Sequence, residues 1–330
     1  MDFEFKKSIL LTGAGFTSNI GGFLGKDLWL QVFNNLNKKS KIKDLLIHSM
    51  PDFESVYFLV TRDDRRNYSD DEIADFNSAI HMAYEELDRI VRDSLTYHGQ
   101  SYGIFLPNLI RFIGSFAGSN SGDRGALFTL NQDLFLERYC GIKSPLFGQF
   151  SSKIQGNALR LTTDQFERLP NEIEMEEKIK SYKNILFQSD GDSFYFKLHG
   201  SYGWLSSDGS DLMVLGGDKV RRINSEPLLK WYYEIFQDVL FRTDVNLLVI
   251  GYSFGDRHIN DLLKIAIDQY GLQFCILSPH IENQIKNIKD FKLENGINKI
   301  FKRSLSDLFP KDQGHSLYLD EVMSIFPNRR

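Results

Sequence analysis

Four stretches of the 330-residue chain end a short apolar run in residues that can bind or react. The first is Ile9-Leu-Leu-Thr-Gly13-Ala14-Gly15-Phe16-Thr17. A strand ending in Gly-Ala-Gly lets the backbone turn tightly and aim its N–H groups at an anion such as a pyrophosphate, and a helix starting there adds a favourable dipole. The complete G-x-G-x-x-G pattern is absent because Ser18 holds its last position, and no acidic residue ends a second strand to hold an adenosine ribose. A tight structural turn accounts for the same residues. Gly21-Gly22 lengthen the loop, as cover over a ligand requires.

The second stretch is Leu127-Phe-Thr129-Leu-Asn131-Gln132-Asp133. An amide and a carboxylate beyond a buried strand can bind a carboxamide and ribose hydroxyls; the alternative is a cap for the next helix. The third, Phe196-Lys-Leu-His199-Gly200-Ser201, puts an imidazole at a strand end. Histidine titrates near neutral pH and can take a proton from a ribose hydroxyl or from water, or it can be a structural residue before a turn. The fourth is Leu248-Val-Ile-Gly251-Tyr-Ser253-Phe-Gly-Asp256-Arg-His258-Ile-Asn260, a strand running into a Gly-Ser-Gly turn and a capped helix. Any one of the four can arise as a plain turn. All four at the same end of successive strands are much harder to obtain by chance.

The elements that must position them follow from hydrophobic pattern. Ile9–Thr12, Ala126–Asn131, Phe194–His199, Leu247–Gly251, Phe274–Leu277 and Asn298–Phe301 are short apolar runs without alternation. Such runs read as strands buried on both faces, hence a parallel sheet covered by helices. Helical spacing marks Leu24–Leu36, Asp70–Leu95 with the capping pattern Ser69 to Glu72, Pro227–Phe241 with Pro at its start, and Asp256–Tyr270 with Asp256 as N-cap. The expected fold class is α/β: a Rossmann-like parallel sheet with helices on both faces, in one domain over 1–330. Two segments are too long for simple crossovers. Residues 38–125 read as a helical insertion beside the sheet, and 140–192 as an irregular, partly mobile one.

Composition narrows the class. A hydrophobic share of 42% with 25% charged residues suits an ordinary soluble globular chain with a sizeable core. The 27 phenylalanines read as core residues standing where other proteins use leucine. The net charge of −5 argues against nucleic acid as the main partner, and the cluster Lys38, Lys39, Lys41, Lys43 reads as a solvated face. Two cysteines, Cys140 and Cys275, form no disulfide framework and exclude a four-cysteine zinc site. No signal peptide or membrane span is evident, so a cytoplasmic protein is expected.

The motif series Gly13-Ala-Gly-Phe-Thr17, Thr129-Leu-Asn-Gln-Asp133, Lys197-Leu-His-Gly-Ser201 and Gly251-Tyr-Ser-Phe-Gly-Asp256 resembles the sirtuins in order and strand placement. It is most similar to the sirtuin-like domains of bacterial antiphage defence systems. The resemblance implies a Rossmann-like core that binds NAD⁺ in an extended groove. It places Asn131 beside the nicotinamide and its ribose, His199 as the catalytic histidine and Asp133 as their companion. Gly13, Ala14, Gly15, Thr17, Thr129, Gly251, Ser253 and Asp256 would line the cofactor site. Two departures stand out. The four-cysteine zinc module of the deacylases cannot be built here, and Thr17 and Gln132 replace a usual serine and an apolar residue.

The missing module argues against deacylation and leaves hydrolysis of the nicotinamide–ribose bond, with NAD⁺ as substrate and no metal. Nicotinamide departs neutral, so the site needs to stabilise an oxocarbenium-like ribose and to place a water. The alternatives are an ADP-ribosyl transferase, a zinc-less deacylase, or a binding module for NAD or ADP-ribose without turnover. An unrestrained NADase would deplete its own cell, so a homo-oligomer or a separate activating partner protein is expected as a gate. The amphipathic tail from Ser304 to Arg330 either makes such a contact or packs back on the core.

Overall fold

The computed structural model describes residues 8–61, 68–94, 103–117, 125–142, 144, 160–186, 194–312 and 316–326. Nine strands lie among them: β1 Ser8–Thr12, β2 Ala126–Thr129, β3 Glu167–Arg168, β4 Phe194–Lys197, β5 Gly200–Leu205, β6 Asp211–Met213, β7 Asn246–Ile250, β8 Gln273–Leu277 and β9 Ile297–Phe301. Six form one sheet in the order β4-β2-β1-β7-β8-β9, and every pairing in it is parallel. Read from β1, the chain winds outward first to one side and then to the other, the doubly wound order of dinucleotide-binding sheets. The switch point lies between β1 and β7. Helices pack around this sheet, as expected of an α/β Rossmann-like fold.

The reason for the parallel sheet is visible in its residues. In β1, β2, β4, β7 and β8 nearly every position is buried, so neither face meets water. Phenylalanine supplies much of that core. Phe128 of β2 stacks on Phe196 of β4 with ring centroids 5.1 Å apart, and Phe236 of the helix Pro227–Leu240 closes on Phe128 at 4.8 Å. Both cysteines are buried free thiols.

Between β1 and β2 the chain is helical at Gly25–Asn35, Ile42–His48, Phe53–Thr61, Asp70–Ser94 and Leu106–Ala117. Ser69 and Glu72 make the expected reciprocal cap, Glu72 N donating to Ser69 Oγ at 3.3 Å and Ser69 N to Glu72 Oε2 at 2.9 Å. Gly25–Asn35 packs along Asp70–Ser94, each presenting an apolar stripe that includes Val32 and Ala83.

The structure differs from expectation in two places. Glu172–Leu186, expected to be irregular, is a helix whose Met175 is buried; most of the remainder, 145–159 and 187–193, lies outside the described residues. A second sheet, β3-β5-β6, also stands where none was foreseen. Its central strand is Gly-Ser-Tyr-Gly-Trp-Leu, with Gly200 at φ 69° and Gly203 at φ 84°, so no hydrophobic alternation announced it. The tail folds back: Val322 and Phe326 are buried, and the Phe326 ring meets Phe116 at 5.6 Å. Among the described residues no helix is long and apolar enough to cross a membrane.

Candidate functional site

A cavity of about 560 Å³ opens along the carboxyl ends of the large sheet, and residues following all six of its strands line it. This is where open α/β sheets bind ligands. Gly13, Ala14, Gly15, Asn131, Asp133, His199, Gly251, Ser253 and Asp256 all border it. Thr17 and Thr129 do not. They line a small pocket beneath, together with faces of Asn131 and Asp133.

That displacement gives the two threonines a holding role. Asn131 Nδ2 donates to Thr17 Oγ1 at 2.9 Å, and Thr17 Oγ1 donates to Asp133 Oδ2 at 2.7 Å. Thr129 Oγ1 accepts from the Asn131 amide at 3.1 Å. The other oxygen of Asp133 accepts from Phe135 N at 3.0 Å, where the next helix starts. Asp133 is thus a buried anchor with both oxygens engaged, while Asn131, tied down through its amide nitrogen, borders the cavity. Below, buried Lys197 donates to the Asp133 carbonyl, to Ser201 Oγ at 2.8 Å, and pairs with Glu137 at 2.8 Å.

The two glycine-rich turns meet each other. Gly13 N donates to Ile250 O at 3.0 Å and Gly15 N to Gly251 O at 2.9 Å. The first turn was expected to aim its amides at a pyrophosphate, but these two are already used in binding the β7 turn. That turn is braced in its own way: Asn260 Nδ2 donates to Phe254 O at 2.8 Å and Tyr252 Oη to Asn260 Oδ1 at 2.9 Å, holding Phe254 at φ 57°.

His199 is buried at the end of β4, and its Nε2 lies 3.0 Å from Nε2 of His258. Burial lowers its pKa to about 3, and lowers that of His258 to about 4, against the pull of Asp256. Both imidazoles are neutral at physiological pH. Asp256 occupies the N-cap position of the helix Arg257–Tyr270, as expected, but its carboxylate does not cap. Lys219 draws it away: Nζ lies 2.7 Å from Asp256 Oδ1 and 2.8 Å from Glu54 Oε2. Burial works against the Asp256 carboxylate, yet His199 and Lys219 outweigh it and hold the pKa at about 2. Burial likewise disfavours the Lys219 ammonium, and Glu54 and Asp256 overcome it.

The acid response of the fold follows. Unfolded, each histidine takes a proton below about pH 6.5; folded, both stay neutral until about pH 4 and 3. Their contribution is complete above pH 6.5 and is lost as pH falls, about 1 kcal/mol per histidine between pH 6.5 and 5.5. Thermal unfolding is therefore expected at lower temperature at pH 5.5 than at 7.5, with a smaller drop in His199→Gln and His258→Gln. An equal drop in those variants would assign acid sensitivity elsewhere.

Several cavity residues were missed in the sequence. Lys219 and Glu54 belong to no motif; the signal was the pair Gly216-Gly217, which brings its loop against Phe58, where a Cβ on Gly216 would sit 3.0 Å from the Phe58 Cβ. Gln132 anchors the wall, its Nε2 donating to Val214 O at 3.1 Å and its Oε1 accepting from Tyr84 Oη. At the far end stand Ser278, Arg303 and Gln284, whose buried Oε1 has no hydrogen-bond partner among the described residues.

Comparison with known proteins comes to the same place. No curated protein matches the chain. A family model described as the SIR2-like domain matches residues 125–299, more than half of the chain, and spans β2 to β9 with Asn131, His199 and Asp256 inside it. The Gly13-Ala-Gly15 turn lies ahead of the matched region but joins it through the Gly251 turn. The chain belongs to the SIR2-like family.

Proposed function

We propose that this chain is an NAD⁺ glycohydrolase that cleaves the nicotinamide–ribose bond to give nicotinamide and ADP-ribose, and that it acts in antiphage defence by depleting NAD⁺. One observation carries this reading: Asn131 and a neutral His199 border a single elongated cavity at the switch point of a SIR2-like sheet. The cavity suits a dinucleotide because it crosses all six strands. Gln284 Oε1 offers a buried acceptor to a donor on the ligand, and Arg303 a cation, at the end away from His199.

In the reaction, the glycosidic electron pair passes to the nicotinamide ring, which leaves neutral, and positive charge develops on the ribose. Asn131, held by Thr17, orients the carboxamide or the attacking water. As water bonds to the anomeric carbon, His199 takes its proton, and Asp256 stabilises the imidazolium that forms. Lys219 keeps Asp256 ionised, and Glu54 holds Lys219 in place. Gly13, Ala14, Gly15, Gly251 and Ser253 border the phosphates in this reading, Thr17 and Thr129 supporting from below.

Hydrolysis in water enriched in oxygen-18 tests the reaction class. The label is expected in the ADP-ribose, at the anomeric hydroxyl. Unlabelled ADP-ribose attached to a protein would make the chain a transferase instead. A second reading, an NAD- or ADP-ribose-binding module without turnover, is favoured by the engagement of His199 Nε2 with His258. A gate through self-assembly or a separate partner predicts a simple signature for the former. Activity per molecule is expected to rise with protein concentration; a flat dependence would reject self-assembly.

A further inference from the structure

A second cavity, of about 470 Å³, adjoins the first across the Glu54–Lys219–Asp256 cluster, and all three residues line both. His199 faces the first cavity and His258 the second. At this partition His199, His258 and Asp256 each offer a ligand atom, and these atoms lie within 4.8 Å of one another. We propose that the three side chains bind one divalent transition-metal ion, zinc foremost, and that the bound ion holds the site inactive. The binding half rests on these residues alone; the inhibitory half rests on the hydrolase reading above.

Two imidazoles and a carboxylate with a further position open are a donor set that zinc accepts. Zinc–nitrogen bonds of about 2.0–2.1 Å on a tetrahedral ion put two ligand nitrogens roughly 3.3 Å apart. The two Nε2 atoms stand at 3.0 Å, so ring adjustments of a few tenths of an ångström open the gap. With the two Nε2 atoms already paired, a metal bound to both would replace the single proton that now joins them.

The charge balance also suits a cation. Lys219 would repel it, but that ammonium stands between two carboxylates, Glu54 at 2.8 Å and Asp256 at 2.7 Å, so it does not face the ion alone. The second cavity gives a route: Asp52, Glu54, Asp256 and Asp261 line it against Lys219 and Arg257. The positive end of the helix Arg257–Tyr270, where Asp256 and His258 sit, opposes the ion. A metal here ties up the His199 lone pair that the proton transfer needs. The site departs from the expectation of a metal-free chain, and four cysteines are not required for it.

The test is a titration of the metal-free full chain with zinc in competition with a chromophoric chelator, with NAD⁺ turnover followed in the same samples. One zinc per chain is expected, and His258→Gln and Asp256→Asn are each expected to bind it about tenfold or more weakly. Turnover should fall in step with occupancy and return on chelation. X-ray absorption of the wild-type complex, which depends on no variant, should show two imidazole nitrogens and carboxylate oxygen around the ion. No stoichiometric binding, or equal binding by a folded His258→Gln variant, would overturn the site. Binding that leaves turnover unchanged would overturn the inhibition. A metal-free chain that binds zinc but never cleaves NAD⁺ would count against the hydrolase reading and leave the site standing.

Discussion

Replacing His199 by alanine is expected to lower NAD⁺ turnover by about 10²- to 10⁴-fold, the range for loss of a positioned general base, without unfolding the chain. The backbone at this position is held independently of the imidazole, since His199 O accepts from Val214 N at 2.9 Å. The side chain gives up its hydrogen bond and ring contact with His258, and the space it vacates borders the cavity. Asn131→Ala is expected to cost about 10²- to 10³-fold, the range for one oriented polar group at a developing charge. Thr17→Val sharpens the assignment, because it leaves Asn131 in place and removes its 2.9 Å anchor. A smaller fall in turnover is expected there, with substrate affinity nearly intact. Turnover, thermal midpoint and KM measured on the three variants check this. Near-normal turnover in both His199→Ala and Asn131→Ala would remove these residues from the chemistry.

The second large effect concerns the fold beneath the site. Gly251→Ala is expected to be severely destabilising, because two penalties act together. Gly251 has φ 68°, where an L side chain is strained, and an added Cβ would lie 2.0 Å from Phe16 N and 2.4 Å from Gly15 C. Strain and overpacking cost about 1–3 kcal/mol each. Gly271 is the control. It ends the helix Arg257–Tyr270 at φ 69° but has nothing within 4 Å of an added Cβ. Gly271→Ala therefore isolates the conformational strain, about 1–2 kcal/mol. Denaturant unfolding of the two variants should show the larger loss at Gly251, where the two turns meet backbone to backbone. Equal losses would mean that the close approach relaxes at no cost.

The fold was legible wherever burial alone decides conformation. The runs at Ile9, Ala126, Phe194, Leu247, Phe274 and Asn298 all became strands of one sheet, within a residue or two of their expected bounds. Such runs declare themselves because both faces of a parallel sheet exclude water; the exception is the edge strand β9, where only Phe301 is buried. β5 did not, since its glycines obscure any pattern and its pairing with β6 is set by tertiary contact. The place of Asn131 and His199 on the cavity wall was legible because strand ends are where ligands meet an α/β sheet. The supporting network was less so. Asp256 sits where a helix cap belongs, but only the folded chain brings Lys219, at the start of the helix Lys219–Ser225, to its carboxylate, and Glu54 from a distant helix to hold that lysine. Thr17 and Thr129 look the same in sequence whether they face a ligand or hold its neighbours. Their hydroxyls turned out to point beneath the cavity.

The central claim is tested most directly by incubating the purified chain with NAD⁺ at several protein concentrations and quantifying nicotinamide and free ADP-ribose over time. Equimolar release of the two, lost in His199→Ala, is the predicted result. Tight NAD⁺ binding with neither product at any concentration, in protein freed of bound metal, would contradict it and make the cavity a sensor.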